Sequence, residues 1–348
     1  MHRFLKNILI VSLFIIALHL IVGALADGST DNFYLRFTSS KQNSLIIGTS
    51  RSAQGIHPNI LDSVLNLGDI NSIYNYSFSI NNSSYGKEYY YAIKNKINDS
   101  GENGLFIITI DPWAISSDTT LHENEIDIES VFHSMRYYNS CPNYEYLIKN
   151  YKKGWGNIFL KRIESNILFR NRHSLGKING SFTYLRKDGL LEIYTSMDSV
   201  YVRKNIQKKI SHYTRSMIRN KFSEFRFSYL RKTIQLLKNH GEVYLVRMPV
   251  HTSLLKIEKS FDPQFDKKMI NLANSTHVEY LNFADDSTQY SYTDGNHLYI
   301  KDAKKYSIRL AERIKHSESL VNKELDWEAK QLIQQSMADA WDWKKLKE

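Results

Sequence analysis

Short apolar runs of strand type alternate along this chain with longer stretches of helical spacing. Leu45-Ile46-Ile47 ends on Gly48-Thr49-Ser50, which predicts a buried strand of a parallel sheet with a polar turn at its carboxyl end. Ser72 to Phe78 alternates among β-formers and predicts a second strand. Leu105 to Ile110 is almost wholly apolar and predicts a third, closed by Asp111-Pro112-Trp113. Between them, Pro58 opens a helix to about Leu67, and Tyr89, Ile93 and Ile97 at four-residue spacing predict a helix over 85–97. From Ser116 to Lys221 the period is mixed and mostly helical. The alternation then resumes. Ser223 caps a helix with Phe227, Leu230, Ile234 and Leu237 on one face. Val243–Val246 predicts a fourth strand, Asp262-Pro263 opens a helix to about Asn274, and Val278–Phe283 predicts a fifth strand. A helix over 300–314 closes the series. This order belongs to the α/β class, with a parallel sheet.

The amino terminus changes the setting of that domain. A basic flank, Arg3 and Lys6, precedes a nearly continuous apolar run from Asn7 to Ala26, which approaches the length that crosses a bilayer. The basic flank places the following chain outside the cytoplasm. Two readings fit residues 1–26. One is a retained transmembrane anchor on the cell membrane, favoured by the length of the run. The other is a cleaved signal segment with Ala24-Leu25-Ala26 as its small-x-small site, which would leave the domain secreted. Residues 27–44 read as a tether and 45–316 as the α/β domain. Within the domain, about 116–221 form a basic, aromatic insertion that covers or lines a site. Residues 317–348 read as a charged amphipathic helix carrying Trp327, Trp341 and Trp343.

Composition narrows the partners. The net charge of +10 and the paired basic residues of the insertion, such as Lys152-Lys153 and Lys208-Lys209, suit a membrane surface or an anionic or carbohydrate polymer. A domain outside the cytoplasm disfavours nucleic acid. The single cysteine, Cys141, excludes an internal disulfide framework and a cysteine zinc site. No metal and no cofactor is expected.

The candidate chemistry lies at two turns. Asp294 and His297 are three apart in Tyr292-Thr293-Asp294-Gly295-Asn296-His297, just before the last core helix. A carboxylate there would hold one ring nitrogen and leave the other free to take a proton. Ser50, after the first strand, is the nucleophile this pair would serve, since catalytic groups of open parallel sheets gather at the carboxyl ends of strands. Arg51 is placed either to steer a carboxylate or phosphate or to form a salt bridge, with Ser52 as a second hydroxyl. His57, His251 and His277 read as structural histidines.

Gly48-Thr49-Ser50 and Asp294-Gly295-Asn296-His297 together resemble the first and last blocks of the SGNH (GDSL-type) hydrolase superfamily. The resemblance implies a three-layer α/β/α, flavodoxin-like parallel sheet and a Ser50–His297–Asp294 triad. Tyr74 to Ser79 is similar to the second block, which places an oxyanion-hole amide near Ile80 or Asn81. The third block departs from the family: Asp111-Pro112-Trp113 stands where an asparagine donor is usual. The Trp113 indole is the substitute donor on this reading, and a packed aromatic on the other. The anchor and the altered third block look most like the membrane-tethered branch, which includes polysaccharide O-acetyltransferases and the D-alanyl transfer protein of lipoteichoic acid assembly. That likeness implies acyl transfer to, or removal from, a cell-surface polysaccharide, beside a multipass membrane acyltransferase. The competing expectation is an inactive SGNH-like domain that binds or assembles a surface polymer.

Overall fold

Period-two alternation sends successive side chains of each apolar run to opposite faces of one sheet. Leu45 and Ile47, Phe106 and Ile108, and Val243 and Leu245 enter one core. Their neighbours Ile46, Leu105, Ile107, Tyr244 and Val246 enter the other. The computed structural model describes residues 1–24, 33–99, 101, 103–121, 138–149, 177–178 and 181–317. In chain order the elements are α1 (His2–Ala24), α2 (Tyr34–Thr38), β1 (Ser44–Ile47), α3 (Ser50–Gly55), α4 (Pro58–Leu65), β2 (Ile73–Asn75), α5 (Ile80–Ser83), α6 (Lys87–Lys96), β3 (Gly104–Thr109), β4 (Ser116–Asp118) and α7 (Tyr144–Lys149). They continue as β5 (Lys177–Ile178), β6 (Ser181–Leu185), β7 (Leu191–Tyr194), α8 (Ser199–Arg219), β8 (Asn220–Phe222), α9 (Glu224–Lys238), β9 (Gly241–Arg247), α10 (Thr252–Phe261), α11 (Phe265–Thr276) and β10 (Glu279–Asn282). A last helix, α12, occupies 300–317.

The main sheet has five strands in the order β10-β9-β3-β1-β2, every neighbouring pair parallel. Helices α6, α9 and α11 bury Tyr89, Ile93, Leu230, Ile234, Phe265 and Met269 on one face. Helices α4 and α12 bury Leu61, Tyr306, Leu310 and Ile314 on the other. Chain direction across the sheet reverses between β1 and β3, and such switch points open a crevice at the carboxyl ends of the strands. The turn after β1 lies there.

Several elements differ from the sequence reading. The chain after Ser50 is helical at once, because the Thr49 carbonyl accepts from Ala53 N at 3.0 Å and starts α3 directly. The stretch read as a tether packs from Phe33 onward, with Tyr34 and Phe37 buried in the core. Among its described residues the insertion carries short strands as well as the helices α7 and α8. Strands β6 and β7 form a hairpin with β5, and β4 pairs antiparallel with β8. The hairpin turn docks on the sheet edge, where Asn75 N donates to Asp188 O at 2.9 Å. The amphipathic tail read over 317–348 lies, from 318, outside the described residues.

Helix α1 is long and apolar enough to cross a membrane. Its last turns meet the domain: Val22 packs on the core, and Tyr144 donates its hydroxyl to Leu20 O at 3.0 Å.

His57, at the start of α4, is buried with neither ring nitrogen hydrogen-bonded to the described protein. Burial, with Arg186 and Lys304 nearby, pushes its pKa down from 6.5 to about 4. The folded state therefore holds fewer protons than the unfolded chain between about pH 4 and 6.5, and stability rises with pH across that window. His57→Leu is expected to flatten the pH dependence of the urea midpoint there, by roughly 1 kcal/mol per pH unit. An unchanged slope would place the acid-labile group elsewhere.

Candidate active site

Strand β1 ends beside β3 so closely that only glycine fits. A Cβ on Gly48 would lie 1.8 Å from Thr109 Oγ1 and 2.6 Å from Ser52 Oγ, and its φ of +153 disfavours any L side chain. Gly48→Ala is expected to cost about 1–3 kcal/mol in chemical unfolding and to displace the turn that carries Ser50. A wild-type unfolding midpoint would contradict this. Ser50 is the first residue of α3, so its amide has no partner within the helix. Ser52 is fully buried. Its hydroxyl accepts from Thr109 Oγ1 at 2.8 Å and lies 2.9 Å from Ser77 Oγ and 3.0 Å from Thr49 O. It clasps the ends of β1, β2 and β3 together and is not the exposed hydroxyl.

The second turn, 293–297, is folded by its own backbone and side chains. Thr293 N donates to His297 O at 3.0 Å. Asp294 Oδ1 accepts from the amides of Asn296 and His297, each at 3.0 Å. Gly295, at φ +83, supplies the left-handed residue. His251 N donates to Gly295 O at 2.9 Å and ties the turn to the segment after β9.

These two turns meet. Ser50 Oγ is 2.8 Å from His297 Nε2, and His297 Nδ1 is 2.9 Å from Asp294 Oδ2. Serine, histidine and carboxylate thus form a continuous hydrogen-bonded line across 247 residues of sequence. Burial would raise the Asp294 pKa, but the His297 ring and its hydrogen bonds, Lys209 and the turn amides outweigh it and hold the carboxyl well below the usual range. Lys209 Nζ, from α8, sits 3.4 Å from Asp294 Oδ2. An ionised Asp294 fixes the proton on Nδ1 and leaves Nε2 as the acceptor facing Ser50.

Arg51 and Trp113 take other roles than substrate contact. Arg51 is buried, with NH2 2.6 Å from Glu258 Oε1, NH1 3.7 Å from Asp111 Oδ2 and Nε donating to Asn296 Oδ1 at 3.0 Å. Burial lowers its pKa, but Glu258 and then Asp111 more than reverse this and keep the guanidinium charged. It is a structural ion pair, not a steering charge. Trp113 is buried between Phe261, at 4.6 Å between ring centroids, and Tyr213, at 4.8 Å. Its indole N–H donates to Glu258 Oε1 at 3.2 Å, so it is a packed aromatic and is already committed as a donor. Asp111, where the sequence resemblance expected an asparagine nearby, accepts from the amides of Trp113 and Ala114.

Ile80 and Asn81 form the first turn of α5, where amides have no partner within the helix. Ile80 is half-buried against the core, and Asn81 is exposed. His251 caps α10 by accepting from Ser253 N at 3.2 Å, and His277 ends α11 in the left-handed conformation. Neither is brought to Ser50 by a hydrogen bond among the described residues.

The structure adds residues that sequence reading passed over. Helix α8 packs on α10 through Ile210 and Tyr213, bringing Lys209 to Asp294 and Tyr213 to Asn296, whose Oδ1 accepts the Tyr213 hydroxyl at 3.0 Å. Glu258 reaches Arg51 with one oxygen and, with the other, Arg247 NH2 at 3.1 Å. Asn296 stands beside His297 and is buried. Its place inside the Asp-x-x-His spacing was the only signal in the sequence. No family model matches the chain, and no curated protein matches it.

Proposed function

We propose that this protein is a serine esterase or O-acyltransferase of SGNH type, working outside the cytoplasm beside the membrane that α1 crosses. The observation that carries this reading is the line Ser50 Oγ–His297 Nε2–Asp294 at 2.8 and 2.9 Å. Three further features support it: the carboxyl-edge location, the glycine-dependent turn before Ser50 and the strand order of the sheet.

On this reading Ser50 attacks an ester carbonyl as His297 Nε2 takes its proton. Asp294 holds the imidazole in register and stabilises its charged form. The Ser50 amide and the first amides of α5 are the candidate oxyanion donors, each worth about 3 kcal/mol in the transition state. The acyl group then rests on Ser50 and passes to a hydroxyl or to water. Exposed Arg203, Lys204, Lys208, Arg215 and Arg219 on α8 suit a carbohydrate or anionic surface polymer as acceptor. A multipass membrane acyltransferase is the natural donor of acyl groups to such a site.

An inactive polymer-binding domain is the competing reading. A serine held at hydrogen-bond distance from an oriented imidazole weighs against it. The deciding experiment is labelling of the full chain in membranes with a fluorophosphonate probe. Labelling of the wild type that is lost in Ser50→Ala supports the enzyme, and equal labelling of both defeats it.

A further inference from the structure

We infer that Asn296 is a catalytic residue of this site, donating through Nδ2 to the oxygen that leaves, and later enters, opposite Ser50. The inference rests on the Ser50–His297–Asp294 reading and adds to it a group that specifically serves the leaving and accepting oxygen. Asn296 is buried at 4 % exposure. Its Oδ1 accepts from Arg51 Nε and from the Tyr213 hydroxyl, both at 3.0 Å. A guanidinium can only donate, so the amide oxygen must face Arg51 and the amide nitrogen must face away. Arg51 is itself clamped by Glu258 at 2.6 Å, which leaves Asn296 little freedom to turn.

Nδ2 therefore points at His297 Nε2, 3.2 Å away, the same nitrogen that stands 2.8 Å from Ser50 Oγ. With the proton on Nδ1, Nε2 offers one lone pair, and the Ser50 hydroxyl competes for it. Once Nε2 has taken the Ser50 proton it offers none, and the amide needs another acceptor. The oxygen to which Nε2 hands that proton must approach to about 3 Å, so a single oxygen can touch both groups. The carbonyl oxygen of the tetrahedral intermediate is a different atom, and the backbone amides are its candidate donors.

The steps balance without any further reagent. Ser50 Oγ bonds to the acyl carbon as its proton moves to Nε2. The carbon–oxygen bond to the leaving alcohol then breaks. Its electron pair stays on that oxygen, which accepts a hydrogen bond from Asn296 and the proton from Nε2. An acceptor hydroxyl enters the same position, gives its proton to Nε2 and attacks the acyl carbon. Ser50 leaves with that proton.

A pair of acetate esters tests this on the full chain in detergent micelles, with release of the leaving alcohol as the readout. p-Nitrophenolate is a stable anion that needs no donor, whereas ethoxide is strongly basic and does. Asn296→Ala is expected to slow ethyl acetate by about 100-fold, the usual loss for one transition-state donor, and p-nitrophenyl acetate by no more than about 3-fold. Asn296→Asp, which keeps the shape and the Arg51 contact but loses the donor, is expected to show the same split and guards against a folding defect in the alanine variant. Equal slowing of both esters in the two variants, with native circular dichroism, would assign Asn296 a structural or oxyanion role and overturn the inference, as would no slowing. Wild-type protein inert to both esters and to the fluorophosphonate would defeat the enzyme reading itself. An active wild type with unsplit variants would defeat only the role of Asn296.

Discussion

Ser50→Ala is expected to abolish fluorophosphonate labelling and to lower acetylester turnover by at least about 10⁴-fold. The fold should survive, because Ser50 lies at the start of α3 and its side chain bonds to His297 rather than to the core. His297→Ala should cost about as much, and the double variant little more, since members of a triad act as one unit. Asp294→Asn is the more informative partner. Its carboxylate accepts both from His297 Nδ1 and from the amides of Asn296 and His297. An amide could preserve much of the turn while presenting N–H groups that favour the wrong imidazole tautomer. A loss of about 10⁴-fold in turnover with a near-native unfolding midpoint would match a role in fixing the tautomer. Turnover in Ser50→Ala equal to wild type would remove the triad from consideration.

The sheet was legible because its signal is local. Leu45 to Ile47, Leu105 to Ile110 and Val243 to Val246 are apolar on both faces, as strands covered by helices must be. Ser50, Asp294 and His297 were legible because a short polar block sits at the end of such a run and another precedes the last helix. What was not legible depends on packing between distant segments. Glu258 stands three and four residues after Leu255 and Leu254, on the same helix face as both, but a carboxylate there carries no sign of the distant cations that would bury it. It is nevertheless 1 % exposed, because Arg51, from a turn 207 residues away, and Arg247 both end on it. For the same reason the sequence left Arg51 open between a steering charge and a salt bridge, and Trp113 between an oxyanion donor and a packed aromatic. Adjacency to Ser50 and to the third strand could not decide between them, because both side chains end on Glu258, from a distant helix. The hairpin of β6 and β7 was hidden by a stretch whose basic and aromatic residues carry no clear period. Tyr34 and Phe37 were hidden by the polar residues before them.

Glu258→Ala is expected to be the most destabilising single change near the site. One carboxylate oxygen accepts from Arg51 and the Trp113 indole, at 2.6 and 3.2 Å, and the other from Arg247 at 3.1 Å. Removing the carboxylate leaves two buried guanidinium groups short of a counter-charge. Arg51 would retain Asp111 at 3.7 Å, and Arg247 would retain Asp266. Breaking one side of a buried pair costs about 3–5 kcal/mol, so the urea midpoint should fall by that equivalent. Glu258→Gln keeps the shape and one acceptor and should fall between wild type and alanine. The loss should also reach the chemistry, because Arg51 is what turns the Asn296 amide toward His297. Ester turnover in the glutamine variant should therefore drop under conditions where the protein is still fully folded. A stability change below about 1 kcal/mol for the alanine variant would mean that the charges are hydrated and the network is weaker than its burial implies. A stable glutamine variant with unchanged turnover would separate this network from the site.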